Sequence, residues 1–120
     1  MIIAISSSGK DLTSKVDTRF GRAKYFIIYN TNTLSVQVHE NNQNLSAMQG
    51  AGIQSSQNVV ELNAEVLITG NCGPKAFKVL NAAGIKVFIT LDCSVQNAID
   101  LYVANKLPPL NEANVEGHWV

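Results

Sequence analysis

The run Glu65-Val66-Leu67-Ile68-Thr69-Gly70-Asn71-Cys72-Gly73-Pro74, continuing through Lys75-Ala76-Phe77 to Ala83-Gly84-Ile85-Lys86-Val87, decides the fold. Residues 65–69 are short, apolar and rich in β-branched side chains, which reads as a strand, and the glycines and proline of residues 70–74 read as a loop. Between residues 75 and 83, Ala76, Phe77, Leu80 and Ala83 fall on one face of a helix. Gly84 stands where a helix ends in a left-handed residue, and residues 85–91 begin another apolar strand. Strand, helix and strand in this order require two parallel strands joined by a right-handed crossover.

Outward from this unit, residues 2–5 form a first short strand that stops at Ser6-Ser7-Ser8-Gly9. Residues 25–29 and the alternating residues 34–39, separated by Asn30-Thr31-Asn32-Thr33, read as an antiparallel hairpin with a half-exposed second strand. Residues 40–46 are a polar loop. A helix opening at Gly50-Ala51-Gly52 fits only moderately, because residues 54–58 are entirely polar. Ser94 caps a final helix with Val95, Ala98, Ile99 and Tyr102 at i, i+3, i+4 and i+7, stopped by Pro108 and Pro109. The expectation is a three-layer α/β fold with a mixed five-stranded sheet and three helices, residues 1–107 forming one domain and residues 108–120 an irregular tail.

At 120 residues the chain has the length of one domain. Apolar residues make up 46% and charged residues 15%, against a usual ~25% charged, which excludes disorder driven by charge. Nine Lys and Arg balance nine Asp and Glu, so no global field draws the chain to nucleic acid or an anionic membrane. No run approaches the ~18 apolar residues of a membrane span, and the apolar start lacks the basic region of a signal peptide. Two cysteines are too few for a secreted disulfide scaffold, so a cytoplasmic protein with reduced thiols is expected.

In open α/β sheets, ligands bind beyond the carboxyl ends of the parallel strands. If residues 2–5 run parallel to the later strands, then Ser7 and Gly9, residues 70–74, and Cys93 with Ser94 share one edge. Adjacent strands lie about 4.8 Å apart, which makes Cys72 and Cys93 potential neighbours. Gly70 and Gly73 let backbone approach a ligand, Pro74 suits a first helical position, and unpaired N–H groups there attract anions. Cys72 at such a helix start is expected to have a depressed pKa, suited to nucleophilic or soft-metal chemistry. The competing reading is a buried structural cysteine beside a tight turn. Cys93 is open to the same two readings.

Lys10, Lys15, Arg19, Arg22 and Lys24 against Asp11 and Asp17 make the first loop a basic rim, while the last thirty residues are acidic. Such a rim favours phosphate, carboxylate or a metal cluster, or is an ordinary solvated loop. His39 reads as a solvent-facing strand end. His118, beside Trp119, either folds over the site as a third ligand or anchors the tail. No Cys-x-x-Cys zinc site, dinucleotide fingerprint or phosphate-binding loop is present.

Four segments then form a pattern: Asp17-Thr18-Arg19-Phe20-Gly21-Arg22-Ala23-Lys24-Tyr25-Phe26, Gly50-Ala51-Gly52-Ile53, Thr69-Gly70-Asn71-Cys72-Gly73-Pro74-Lys75-Ala76-Phe77, and Ala83-Gly84-Ile85-Lys86-Val87. Together they resemble the dinitrogenase iron–molybdenum cofactor biosynthesis family, in order from Met1 to about Tyr102. The resemblance implies a ribonuclease H-like fold and non-catalytic binding of an iron–sulfur or molybdenum-containing cluster. It also implies metallocofactor assembly or acceptor proteins as partners, and a monomer or weak dimer is expected. On this reading Ser7, Gly9, Arg19, Phe20, Gly21, Arg22, Gly70, Asn71, Gly73 and Ser94 line the cluster site, with Cys72, Cys93 and His118 as metal ligands. Nitrogenase cofactor carriers often have histidine where this chain has Arg19. A guanidinium cannot ligate a metal, but it can hydrogen-bond cluster sulfides as a cation.

Nuclease chemistry on a ribonuclease H-like fold needs carboxylates around two metal ions, one of them on the first strand, and Ile2-Ile3-Ala4-Ile5 offers none. Two other classes stay open: an interaction or regulatory module without a cofactor, and an enzyme using Cys72 as nucleophile, for which no general base is evident.

Overall fold

The computed structural model describes residues 1–41 and 50–114. Among them, β1 (Ile2–Ser7), β2 (Tyr25–Asn30), β3 (Val36–Glu40), β4 (Val66–Thr69) and β5 (Lys86–Ile89) form one sheet in the order β3-β2-β1-β4-β5. The hairpin strands β2 and β3 are antiparallel to each other, β2 is antiparallel to β1, and β1, β4 and β5 run parallel. Helices α1 (Ala51–Glu61) and α2 (Pro74–Ala82) cover one face, and α3 (Val95–Val103) covers the other. This is the expected three-layer arrangement.

Strand alternation builds the two cores. Ala4, Leu67 and Val87 pack toward α1 and α2, whereas Ile3, Ile5, Val66 and Ile68 pack toward α3. Strands buried on both faces have no polar side to show, which is why β1 and β4 read as unbroken apolar runs. Gly84 adopts φ +76° and ends α2 in the left-handed turn expected of it.

The polar run that weakened the case for α1 proves to be part of its buried face. Ser55 and Ser56 are fully buried. Ser56 Oγ donates to Gly52 O at 2.8 Å, with Ala76 O of α2 at 3.2 Å as a second acceptor. Asn41 Nδ2 donates to Ala23 O at 2.8 Å and Ser55 Oγ at 2.9 Å, and Asn58 Nδ2 donates to Asn41 Oδ1 at 2.8 Å. The helix meets backbone carbonyls as well as apolar side chains, and these need donors.

Part of the expected tail is fixed to the domain. Ile89 N donates to Pro108 O at 3.1 Å and Leu110 N to Val87 O at 2.8 Å, so residues 108–110 cover the outer edge of β5. His118 and residues 42–46 of the expected loop lie outside the described residues.

After β1 the chain returns across the carboxyl ends of the parallel strands. Val16 pairs with Ser7, and Asp17 N donates to Ser6 O at 2.9 Å. Ser6 Oγ donates back to Asp17 O at 2.7 Å and lies 2.8 Å from Thr69 Oγ1. Next, Thr18 passes over Gly70 so closely that a Cβ there would sit 2.7 Å from both Thr18 Cα and Cβ. Gly70→Ala therefore forces backbone apart, and we expect a loss of roughly 1–3 kcal/mol in urea unfolding. An unchanged midpoint would contradict this close crossing.

Candidate functional site

The crossing segment carries the basic residues. Asp17 Oδ1 accepts from Arg19 N at 3.0 Å and turns the chain. Arg19 then bridges Asn71 in parallel fashion, Phe20 N donates to Asn71 O at 3.3 Å, and Asn71 Nδ2 donates to Thr18 O at 3.0 Å. A 3₁₀ turn, Phe20–Arg22, follows, with Phe20 fully buried and its ring 5.6 Å from that of Phe26. Gly21 is also buried. With Phe20 anchored inward, Arg19 and Arg22 on either side are exposed, and among the described residues neither forms an ion pair.

Beside them begins α2. Its N-cap, Gly73, is extended at φ −78° and ψ 171° and supplies no side-chain cap, and Pro74 follows at the first helical position. The loop that leads into this helix start is thus paired through Asn71 with the basic turn that carries the exposed Arg19 and Arg22, and a helix N-terminus and cations both favour negative charge. Asn114 reaches this loop from the tail: its Oδ1 accepts from Cys72 N at 2.8 Å, and its N–H donates to Cys72 O at 3.2 Å. No periodicity or motif marks Asn114 in the sequence.

Arg19, Phe20, Gly21, Arg22, Gly70, Asn71 and Gly73 are therefore joined in one patch. Ser7, Gly9 and Ser94 are engaged elsewhere. Ser7 Oγ donates to Gly9 O at 2.7 Å and accepts from Gly9 N at 3.2 Å, closing its own turn. The N-terminus of α3 is filled by the chain itself: Val95 N donates to Ser14 O, Gln96 N to Leu12 O, and Asn97 N to Ser94 Oγ. Ser94 caps the helix, as its sequence position indicates, its Oγ accepting from Asn97 N at 3.1 Å.

The two cysteines do not converge. Cys72 is fully buried in the core beneath α1 and α2 with Phe20, Phe26 and Leu80, whereas Cys93 packs in the core on the opposite face of the sheet, its Sγ 3.3 Å from Thr90 Oγ1. Burial pushes the Cys72 thiol up to about 12. The expectation of a depressed pKa is overturned, because the sulfur faces the core and only the backbone of Cys72 faces the site. Among the described residues no group of three or more His, Cys, Asp or Glu is placed to hold a metal ion. The residues present fit an anion gripped by cations and N–H groups; they do not fit thiolate ligation.

Two outcomes follow from the thiol environments. At pH 7.5, iodoacetamide should label Cys93 in the native protein and Cys72 only after denaturation; rapid native labelling of Cys72 would contradict its burial. Because the folded-state pKa of Cys72 lies above that of an unfolded thiol, its contribution to stability is complete below about pH 9 and is lost as pH rises toward 12. Urea midpoints should fall across that window, and less steeply in Cys72→Ala.

Residues 1–105 match the family described as dinitrogenase iron-molybdenum cofactor. An uncharacterised protein of Methanocaldococcus jannaschii is 27% identical over 96 residues, covering 78% of this chain and 81% of the relative. Among solved structures, the apo form of the orange protein from Desulfovibrio gigas has a TM-score of 0.89 at 36% identity, covering 95% of this chain and 96% of that one. A NifB-like protein from Thermotoga, solved by NMR, has a TM-score of 0.83 at 42% identity, with 97% and 98% covered. The chain belongs to the dinitrogenase iron-molybdenum cofactor family.

Proposed function

We propose that the protein is a non-catalytic carrier or scaffold for an anionic iron–sulfur or molybdenum-containing cluster, working in the cytoplasm with metallocofactor assembly or acceptor proteins. One observation carries this reading: Arg19 and Arg22 stand exposed on either side of the buried Phe20, in a turn paired with the Asn71 loop that leads into α2, a helix without a side-chain cap. Membership of the cofactor family supports it, as does likeness to an orange protein solved in its apo form. The withdrawn Cys72 thiol counts against a nucleophilic enzyme.

Cargo held this way sits in a site of charge and hydrogen bonds. Cluster sulfides or oxyanions accept from the guanidiniums and from backbone N–H groups near Gly73, and no metal–thiolate bond has to break on release. Such a grip suits a protein that must hand its cargo on.

Anaerobic reconstitution with ferrous iron, sulfide and molybdate, followed by desalting and metal analysis, tests the reading. Wild type should retain metal, and losing two charge-assisted contacts in an Arg19→Ala/Arg22→Ala variant should weaken retention by about 100-fold or more. Raising salt to about 0.5 M should weaken wild-type retention as well. No metal above background in wild type would overturn the carrier reading; full retention by the double variant would remove these arginines from the site.

A further inference from the structure

One N–H group of the loop before α2, that of Cys72, already has an occupant. Asn114 Oδ1 accepts from Cys72 N at 2.8 Å, and its Nδ2 reaches Gly70 O at 3.3 Å and Asn71 Oδ1 at 3.4 Å. Its own N–H donates to Cys72 O at 3.2 Å. Upstream, the same segment is tied to β5 through Pro108 and Leu110. A cavity of about 540 Å³ adjoins the first attachment, lined by residues including Phe77, Asn81, Ile85, Leu110 and Asn111. Residues 108–114 therefore form a strap held at its two ends by directional bonds. Asn114 itself is exposed, so its bonds compete with solvent and with any solute that reaches the loop.

We propose that Asn114 is a latch on the cargo site. Resting on the cluster-carrier reading, the proposal is that the neutral amide oxygen of Asn114 occupies the Cys72 N–H that an anionic sulfide or oxyanion takes on loading, and that loading releases residues 111–114. A charged acceptor makes the stronger hydrogen bond, and the helix end favours it further. Cargo outcompetes the amide when present, and the amide closes the loop when cargo leaves. The latch also touches Asn71, the residue that bridges Arg19, so the same displacement reaches the backbone that positions the guanidinium.

The test uses the full chain, in wild-type form and as Asn114→Ala and Asn114→Ser, with two readouts. The first is amide hydrogen exchange at Cys72 without metal, which should quicken by tenfold or more in both variants while the melting temperature stays within a few degrees. The second is metal retention after incubation with ferrous iron, sulfide and molybdate, which should be reached at several-fold lower reagent concentration in the variants. In wild type, loading should deprotect the amides of residues 111–114. Unchanged exchange at Cys72 would overturn the latch contact. Loading that is identical in all three proteins would overturn the gate and leave the carrier reading standing. Absence of loading in all three, with quickened exchange, would overturn the carrier reading and the gate with it.

Discussion

The passage of Thr18 across Gly70 is the contact on which the rest of the site depends. Only a residue without a Cβ lets the returning segment lie on the exit of β4, and the hydroxyl of Ser6 pins that segment from below. Once it lies there, Arg19 pairs with Asn71, Phe20 drops into the core beneath α1, and the two arginines are left outside. The polar network of Asn41, Ser55 and Asn58 then holds the 3₁₀ turn and α1 together, so the basic turn is supported by buried hydrogen bonds rather than by its own solvated side chains.

The N-termini of α2 and α3, which follow the parallel strands β4 and β5, have opposite fates, and that of α1 at Gly50 also lacks a side-chain cap. That of α3 takes carbonyls from residues 12 and 14 and a hydroxyl from Ser94, which leaves it nothing to offer a ligand. That of α2 receives no side-chain cap, and the exposed Asn114 bonds the Cys72 N–H of the loop before it. On the proposed reading the cargo site lies where the basic turn meets the loop before α2, a local positive charge in a chain whose net charge is zero. The thiols are kept out of it. Cys72 lends its backbone and hides its sulfur, and an acid that loses water on burial stays protonated.

Much of this was legible in the sequence, and the rest was hidden for identifiable reasons. The parallel unit around Val66 and Val87, the hairpin, and the Gly84 stop follow from apolar runs and turn residues. Arg19 and Arg22 could be placed on a basic rim from charge alone. The polarity of residues 54–58 argued against α1 because periodicity scores side chains, and it cannot see that backbone carbonyls of another segment will face them. Cys72 and Cys93 both follow parallel strands, but sharing an edge does not decide which face a side chain takes; packing sends the two sulfurs to opposite cores. Asn114 could not be found, because its role comes from backbone pairing of residues 108–110 with β5 and leaves no pattern of its own.

The central claim is that cargo is held by charge and N–H groups without thiolate bonds. The most direct test is the metal content, after anaerobic reconstitution with ferrous iron, sulfide and molybdate, of a Cys72→Ala/Cys93→Ala variant that folds as wild type does. The account predicts the same metal per chain as wild type. Loss of the metal from the cysteine-free protein would contradict it.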